Sequence, residues 1–396
     1  MPARVHSRLH TLVVGGFLAF TTVLVEIFFR LPPYPSDHLY YFAFAESFPS
    51  SPLADESLFF ERFFHQFLRY GLVLPVRLGQ EVFGYSQAAY LVVPIMAGVA
   101  LAVGVYLIGV LLLNRTVGVA GAVLTLGNSI VFPELTQPLP DLLATSLFCW
   151  AVVVALAVRQ RRRLVTATQR RETVALVVLG VLLGWSYLTR EYIVFCWPLV
   201  PLLLFRRVPV RRWLWVALPL AVVGVSEAAV NAALFGDPLA RLHASAAHGS
   251  VPPAVTDFLG HSRRWYLTRV LAVLGATPEG QLLKGALVVT VLGAVFSRKL
   301  AMLALWAALF SLPLVAFGGL IDPDHPMIRI LKERYWLPLM PAIMLGAVVA
   351  GWLVVHAVVR RVPPVRAYAG IVAGVAALAV AVVPVSIAQQ VRMTDR

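Results

Sequence analysis

An acidic residue that directly follows the first hydrophobic segment is the foremost candidate for chemistry in this 396-residue chain. Residues 11–29 are apolar, and the next stretch, RLPPYPSDHLYYFAFAESF, places Asp37 and His38 after three prolines. Prolines fix the backbone in turns, so this carboxylate is held at the edge of the hydrophobic segment. There it could take a proton from a lipid-borne reaction partner as a general base. A solvated turn, in which Asp is common, is the alternative.

A second acid opens another apolar segment. Asp141 lies in QPLPDLL, where it could bind a substrate hydroxyl or orient Asp37. It could equally be a structural acid stabilised by the helix dipole. Glu134 is a weaker candidate in the same short turn. Asp37 and Asp141 are therefore the predicted catalytic pair, with Asp37 as the base.

Four arginines near the ends of apolar segments could hold a phosphate, since a guanidinium pairs with phosphate through two parallel hydrogen bonds. These candidates are Arg69, Arg190, Arg264 and Arg334. Structural alternatives remain for three of them: an Arg190–Glu191 ion pair, a solvated basic cluster around Arg264, and an interfacial anchor beside Glu333. Further substrate-binding candidates are His38, Tyr41, His65, Glu191, His261 and Tyr335.

Metal-like patterns in the chain are weak. Asp322-Pro-Asp-His contains an Asp-x-Asp pair, and Asp237 is followed by two histidines. Those histidines, 243 and 248, are five apart, which misses the i, i+4 spacing of helical zinc ligands. Neither pattern therefore predicts a metal site, and a divalent cation stays possible without assigned ligands. Glu227 and Asn231 share one face of an apolar segment and could line a substrate groove, or make a buried interhelical hydrogen bond.

The composition requires a membrane protein. Hydrophobic residues make up 60% of the chain, charged residues 13%, and the mean hydropathy is +0.82. Apolar runs of roughly 17 to 25 residues are long enough to cross a bilayer. Eleven are predicted: 11–29, 86–113, 116–132, 141–158, 173–189, 191–205, 213–235, 281–297, 300–320, 336–358 and 367–388. We expect the first to be an uncleaved helix, because VEIFFR has no small-residue cleavage motif.

The charge distribution predicts the orientation. With the N-terminus in the cytoplasm, the inner segments contain 18 of the 33 Lys and Arg residues and one of the 19 acids. This follows the positive-inside rule, so the net charge of +14 is mainly a topology signal and indicates no nucleic-acid partner. The C-terminus and the longer loops 30–85 and 236–280 would then lie outside the cytoplasm. Within the first loop, residues 55–70 predict an amphipathic helix lying at the lipid surface, or an ordinary packed helix.

Six stretches, in this order and on this side, resemble the GT-C superfamily of membrane glycosyltransferases. Within that superfamily the chain resembles protein O-mannosyltransferases, lipid A aminoarabinose transferases and actinobacterial arabinosyltransferases. The stretches are SDHLYYFAFAESF, FLRYGLVLP, QPLPDLLATSLF, YLTREYIVFCWPL, FGDPLARLHASAAHG and KERYWLPLMPAI. The resemblance implies an all-α polytopic fold and a catalytic carboxylate at Asp37. It leaves the family's second acid unassigned, because His38 stands where relatives often have Glu.

The implied activity is transfer of a sugar from a polyprenyl-phosphate donor to a hydroxyl of a glycan, glycolipid or protein, with inversion, at the outer face of the plasma membrane. The same donor follows from location, since no nucleotide sugar is available outside the cytoplasm. Some members of the superfamily use a divalent cation and others do not, and the sequence does not choose. We expect one transmembrane domain over 1–396 without a separate soluble domain. The alternatives are a transporter or flippase of a lipid-linked saccharide, for which internal repeats are expected but not found, and a non-catalytic scaffold.

Overall fold

The computed structural model describes residues 2–30, 36–50, 65–163, 169–249, 261–324, 326, 328, 330 and 332–359. Every regular element in these ranges is helical. The α-helices are α1 (Pro2–Phe28), α2 (Asp37–Ser47), α3 (Tyr70–Phe83), α4 (Gln87–Leu112), α5 (Arg115–Leu126), α6 (Pro140–Arg163), α7 (Gln169–Thr189), α8 (Leu199–Leu204), α9 (Leu214–Phe235), α10 (Ala240–Gly249), α11 (Arg263–Ala276), α12 (Gly280–Gly293), α13 (Arg298–Val315) and α14 (Met340–Val359). Shorter 3₁₀ helices span Phe132–Thr136, Glu191–Cys196, Val210–Trp213 and Glu333–Leu339, and a π-helical turn spans Ala316–Leu320.

Seven helices in the described ranges are long and apolar enough to cross a membrane. They are Thr11–Phe28, Gln87–Leu112, Pro140–Gln160, Gln169–Thr189, Val210–Phe235, Arg298–Leu320 and Glu333–Ala357. Three shorter apolar helices, Arg115–Leu126, Glu191–Leu204 and Gly280–Gly293, fall where 116–132, 191–205 and 281–297 were predicted to span. The protein is thus an all-helical, multi-pass membrane protein. The predicted eleventh span, 367–388, lies outside the described residues.

The long helices pack around α4 and α6, which lie against each other at the centre of the bundle. Large aromatic side chains fill the interior, and the rings of Phe148 on α6 and Trp306 on α13 meet edge to face with centroids 5.2 Å apart. Cys149 and Cys196 are free and buried, as expected from their place in apolar segments. Consecutive helices pack side by side in this core, so the segments that connect them lie together at the two ends of the bundle.

Helices α2, α3, α10 and α11 are shorter than the spanning helices and lie between them in the chain. Helix α2 packs on α3, and α10 and α11 follow α9. Helix α3 also packs on the end of α7 at Gly71, where an added Cβ would lie 2.5 Å from the Thr189 backbone nitrogen. Only glycine permits such a close backbone approach. The amphipathic helix expected at 55–70 falls mostly in 51–64, outside the described residues; residues 65–67 are helical.

Candidate active site

Asp37 and Arg334 form an ion pair between the first residue of α2 and the 3₁₀ helix that leads into α14. Their side chains are 21% and 14% exposed, so both are reachable from outside. Asp37 lies at a helix N-terminus, where the helix dipole favours a negative charge. Burial alone would raise the pKa of Asp37, but Arg334, Lys332 and Arg69 more than offset it and hold that pKa well below its usual range. Asp37 is therefore an ionised carboxylate at neutral pH.

His38 is fully buried beside this pair and shares a 2.7 Å hydrogen bond between its Nδ1 atom and the hydroxyl of Tyr90. Burial, opposed by the charge of Asp37 and assisted to a smaller extent by Arg334, lowers its pKa to about 4. The imidazole is thus neutral at pH 7. A neutral, buried side chain in the first turn of α2 cannot replace the second acid of the family pattern.

Asp141 and Arg190 form the second ion pair, with 3.0 Å between the Arg190 Nε and the Asp141 Oδ1 atoms. The Tyr192 hydroxyl donates to the same carboxylate. The Arg190 guanidinium lies over the rings of Tyr192 and Tyr335, at 4.5 and 5.0 Å from their centroids. Asp141 is 1% exposed and Arg190 6%. Both groups therefore sit behind Asp37 and Arg334 rather than at the surface of the site.

The sequence left open a structural ion pair between Glu191 and its neighbour Arg190. The structure instead pairs Glu191 with two other arginines. Its Oε1 atom lies 3.2 Å from the Nε atoms of both Arg69 and Arg241. Arg190 has an extended backbone at the start of the 3₁₀ helix, and successive side chains of extended backbone point to opposite sides. Arg190 therefore faces Asp141, while Glu191 faces Arg69 and Arg241 on the other side. Arg69 also donates to the hydroxyl of the buried Tyr41, whose pKa is raised to about 12 chiefly by burial.

Arg241 continues the network toward the bundle interior. Its Nη1 atom lies 2.8 Å from the Glu227 carboxylate, and its Nη2 atom lies 2.5 Å from the Tyr187 carbonyl oxygen. One turn after Glu227, the amide oxygen of Asn231 accepts a 2.6 Å hydrogen bond from Tyr70. Glu227 and Asn231 thus share one helix face, as predicted, and both make interhelical contacts. We call Asp37, Asp141, Glu191, Glu227, Arg69, Arg190, Arg241 and Arg334 the arginine–carboxylate cluster.

Glu134 adds a protonated carboxyl group beside the cluster. It is buried in the 3₁₀ helix Phe132–Thr136, and its Oε2 atom has no hydrogen-bond partner among the described residues. Burial, and next the nearby charge of Asp141, raise its pKa to about 8, while Arg334 and Arg190 oppose the shift. Glu134 is therefore a neutral carboxylic acid beside the cluster at pH 7.

The remaining candidates lie apart from these contacts. Arg264 is exposed in the first turn of α11, and its guanidinium makes no contact with a described residue of the cluster. His261 stacks on Trp265 with ring centroids 3.9 Å apart. His65 is buried in the helical stretch before Arg69.

No group of three metal-ligating side chains occurs in the described part of the chain. Asp237 pairs with His243 at 2.7 Å on an exposed surface, whereas the side chain of His248 lies outside the described set. Asp322 accepts a hydrogen bond from the backbone N–H of Asp324, as in a turn, and His325 is not among the described residues. A divalent cation therefore has no assigned ligands here.

Three members of the site were not singled out from the sequence: Arg241, Tyr192 and Lys332. Arg241 lies in the quoted stretch FGDPLARLHASAAHG, and Tyr192 in YLTREYIVFCWPL. A lone arginine among small and aliphatic residues after an apolar segment is itself a signal, since such a charge must find a partner. Tyr192 carries no comparable signal, because apolar segments often contain tyrosine.

Comparisons with known proteins agree with this architecture. A family model described as dolichyl-phosphate-mannose-protein mannosyltransferase matches residues 74–230. No curated protein matches the sequence significantly.

Solved structures share the fold. ArnT from Cupriavidus metallidurans in the apo state is 14% identical, with a TM-score of 0.52 over 87% of this chain and 60% of ArnT. The same enzyme bound to undecaprenyl phosphate gives a TM-score of 0.50 at 15% identity, over 86% of this chain and 59% of ArnT.

The archaeal oligosaccharyltransferase AglB from Archaeoglobus fulgidus, in complex with an inhibitory peptide and a dolichol-phosphate, is 13% identical. Its TM-score is 0.51 over 95% of this chain and 56% of AglB. This chain thus spans less than two thirds of either protein's length. The resemblance to the GT-C superfamily is confirmed, and the chain has the fold of these membrane glycosyltransferases.

Proposed function

We propose that this protein transfers a sugar from a polyprenyl-phosphate donor to an acceptor hydroxyl, with inversion, and that Asp37 is the general base. The observation that carries this proposal is the reachable Asp37–Arg334 pair, in which a carboxylate that could accept a proton lies beside a guanidinium that could bind phosphate. The complexes of ArnT with undecaprenyl phosphate and of AglB with a dolichol-phosphate support a lipid-phosphate donor.

The proposed chemistry is a single displacement. The acceptor oxygen attacks the anomeric carbon, and the bond from that carbon to the phosphate oxygen breaks. The bond electrons leave with the phosphate, so a donor phosphodiester becomes a polyprenyl phosphate monoester with one more negative charge. Asp37 takes the acceptor proton and later releases it to water. A phosphate leaving group needs charge stabilisation more than protonation, so one base suffices where glycosidases use two carboxylates.

The arginines of the cluster have different roles in this proposal. Arg334 is the first candidate for the donor phosphate because it lies beside the base and is the most exposed of the cluster's arginines. Arg69 and Arg190 are more deeply buried, so they add positive charge and fix the shape of the site. Asp141 is buried and contacts both Arg190 and Tyr192 through its Oδ1 atom, so in this proposal it orients Arg190 rather than touching the sugar. Arg264, outside the cluster, ranks last as a phosphate ligand.

We place the site on the outer face of the plasma membrane, with the N-terminus in the cytoplasm. The support is the excess of Lys and Arg in the segments of the opposite side. The acceptor would be a cell-envelope glycan, a glycolipid or a protein hydroxyl. A lipid-linked saccharide transporter is the alternative; against it, the ionisable groups gather at one end of the bundle and not near its midplane, where transporter sites lie.

A transfer assay tests the proposal. Membranes containing wild type or the Asp37→Asn variant are incubated with radiolabelled polyprenyl-phosphate sugars, and label is followed into acceptors. We expect Asp37→Asn to lose transfer by a factor on the order of 10² or more, because the amide cannot take the proton. Asp237→Asn is the matched control, since Asp237 is exposed and, among the described residues, contacts only His243 and its own turn.

Retention of transfer by Asp37→Asn within a few-fold of wild type would remove Asp37 as the base. Movement of labelled lipid across the bilayer without any transfer, in wild type, would support the transporter instead.

A further inference from the structure

We propose that Arg334 changes partners during the reaction: it holds the Asp37 carboxylate before the donor binds and passes to the donor phosphate afterwards, which releases Asp37 to act as base. The inference rests on the proposed function and deepens it, because it states how donor binding prepares the base. It makes Arg334 both the phosphate ligand and the group that keeps Asp37 inactive until the donor is present.

The exposure of the ion pairs singles out this one. Five pairs between described residues join the cluster: Arg69–Glu191, Arg241–Glu191, Arg190–Asp141, Arg241–Glu227 and Arg334–Asp37. In the first four, at least one side chain is less than 10% exposed. Only in the Asp37–Arg334 pair are both side chains reachable, at 21% and 14%. An incoming anion can therefore compete for this arginine without entering the packed interior.

Arg334 also has unused hydrogen-bonding capacity. A guanidinium has five N–H donors, and the buried Nε atom of Arg334 has no hydrogen-bond partner among the described residues. Its guanidinium lies 5.4 Å from the centroid of the Tyr335 ring, which limits where the planar group can turn. Because the Nε atom is buried, an incoming phosphate first contacts the exposed part of the guanidinium beside Asp37 and then takes over the shared donor.

Asp37 is not left without support when Arg334 departs. It stays at the N-terminus of α2, and both Lys332 and Arg69 act on it electrostatically. Loss of one close cation makes the carboxylate a better proton acceptor, because an opposite charge stabilises the ionised form. The exchange therefore converts a weak base into a stronger one at the moment when the leaving group is bound.

Competition predicts that removal of the Asp37 charge strengthens phosphate binding. Apparent affinity scales with the fraction of molecules in which the binding group is available. A charge-assisted hydrogen bond to a carboxylate is strong enough for this fraction to be small. We expect Asp37→Asn to bind polyprenyl phosphate about tenfold or more tightly than wild type, although it no longer transfers sugar.

The experiment is a double-mutant cycle on purified full-length protein in phosphatidylcholine nanodiscs, with undecaprenyl phosphate as the probe. Binding is measured for wild type, Asp37→Asn, Arg334→Gln and the double variant. The gain in affinity for undecaprenyl phosphate caused by Asp37→Asn should vanish in the Arg334→Gln background, because there Asp37 has no arginine to release. Arg334→Lys keeps the charge and should bind with intermediate affinity. Unchanged thermal midpoints show that each variant is folded.

Two results would overturn the exchange. Equal affinity of wild type and Asp37→Asn shows no competition, and equal tightening with or without Arg334 shows only a long-range charge effect. Asp141→Asn measures that general effect, since it removes another acid of the cluster. Loss of transfer in Asp37→Asn together with either result rejects the exchange alone, whereas retained transfer in Asp37→Asn rejects the proposed base itself.

Discussion

Glu134 keeps its proton at neutral pH because it is buried next to Asp141. Its pKa is raised to about 8, whereas an unfolded glutamate loses its proton near pH 4.3. The folded chain therefore binds more protons than the unfolded chain between these values, and stability falls as pH rises through this window. The side chain acts as a neutral hydrogen-bonding group at pH 7 and becomes a buried, repelled charge above pH 8.

Glu134→Gln fixes that neutral state with nearly the same shape. In detergent, the thermal midpoint of both proteins is compared at pH 6 and pH 9. We expect the decrease over this range to be larger in wild type than in Glu134→Gln by about 3 °C or more. Differential scanning fluorimetry at several pH values measures both curves. Identical pH dependence of the two proteins would contradict a raised pKa at this residue.

The sequence allowed Asp37, Arg69, Arg190 and Arg334 to be chosen individually but not paired. Each is a charged residue at the end of an apolar segment, and such charges need partners. Which partner each finds depends on which helix ends become neighbours. Arg334 meets Asp37 across 297 residues of chain, and no local pattern encodes that distance.

At the scale of elements, the site depends on how closely α3 approaches α7. Arg69 comes just before α3 and Glu191 just after α7, so their contact follows from the packing of these helices. Gly71 permits the approach: a Cβ there would lie 2.3 Å from the Thr189 hydroxyl oxygen and 2.7 Å from the Leu188 carbonyl carbon. The Trp185 indole also donates a 3.0 Å hydrogen bond to the Gly71 carbonyl oxygen.

Gly71→Ala should therefore separate the two helices and draw Arg69 away from Glu191. We expect transfer to fall at least about tenfold, since small misplacements of positioning groups have large effects on rate, and stability to fall by about 1–3 kcal/mol, typical of overpacking. The transfer assay and thermal unfolding measure the two effects.

Gly224→Ala is the matched control. Gly224 lies on α9, which also packs on α7, but nothing lies within 4 Å of its added Cβ. Wild-type transfer by Gly71→Ala would show that this approach does not position the cluster.

The sequence predicted the long elements better than the short ones. All seven long apolar helices fall within or around predicted spans. The segment predicted at 191–205 instead divides into a 3₁₀ helix and the six-residue α8. Trp197 and Pro198 lie between them, and proline removes a backbone donor that a continuous helix would use. Apolar composition indicates that a segment is buried in membrane or protein, but it does not fix where hydrogen bonding is interrupted.

At the scale of the whole molecule, the alternation of crossings brings distant segments to one end of the bundle. The cluster draws on α2, the residue before α3, the start of α6, the two residues after α7, the 3₁₀ helix before α14, and α9 with α10. Its four carboxylates face four guanidiniums, so the charges nearly balance. A donor phosphate adds negative charge beside Arg334, and the protonated Glu134 keeps a fifth negative charge away from it. The cluster therefore adds no net negative charge that would repel an anionic substrate.

The orientation of the whole molecule is the last prediction. The basic segments 159–171 and 206–212 indicate the cytoplasmic side, and the cluster then faces the opposite side. Both native cysteines are buried, so single thiols can report the topology. Gln87→Cys marks the exposed start of α4, near the cluster's end of the bundle, and Val210→Cys marks a residue that is 86% exposed in the second basic segment.

A membrane-impermeant maleimide should label Gln87→Cys in intact cells and label Val210→Cys only after permeabilisation, with at least about fivefold contrast for each, because a thiol reacts only where the reagent reaches it. Both substitutions leave every Lys and Arg in place, so the orientation signal itself is unchanged. The cysteine-bearing wild type supplies the background. The opposite labelling pattern would place the cluster in the cytoplasm, where nucleotide sugars are available, and would remove the reason for a lipid-linked donor.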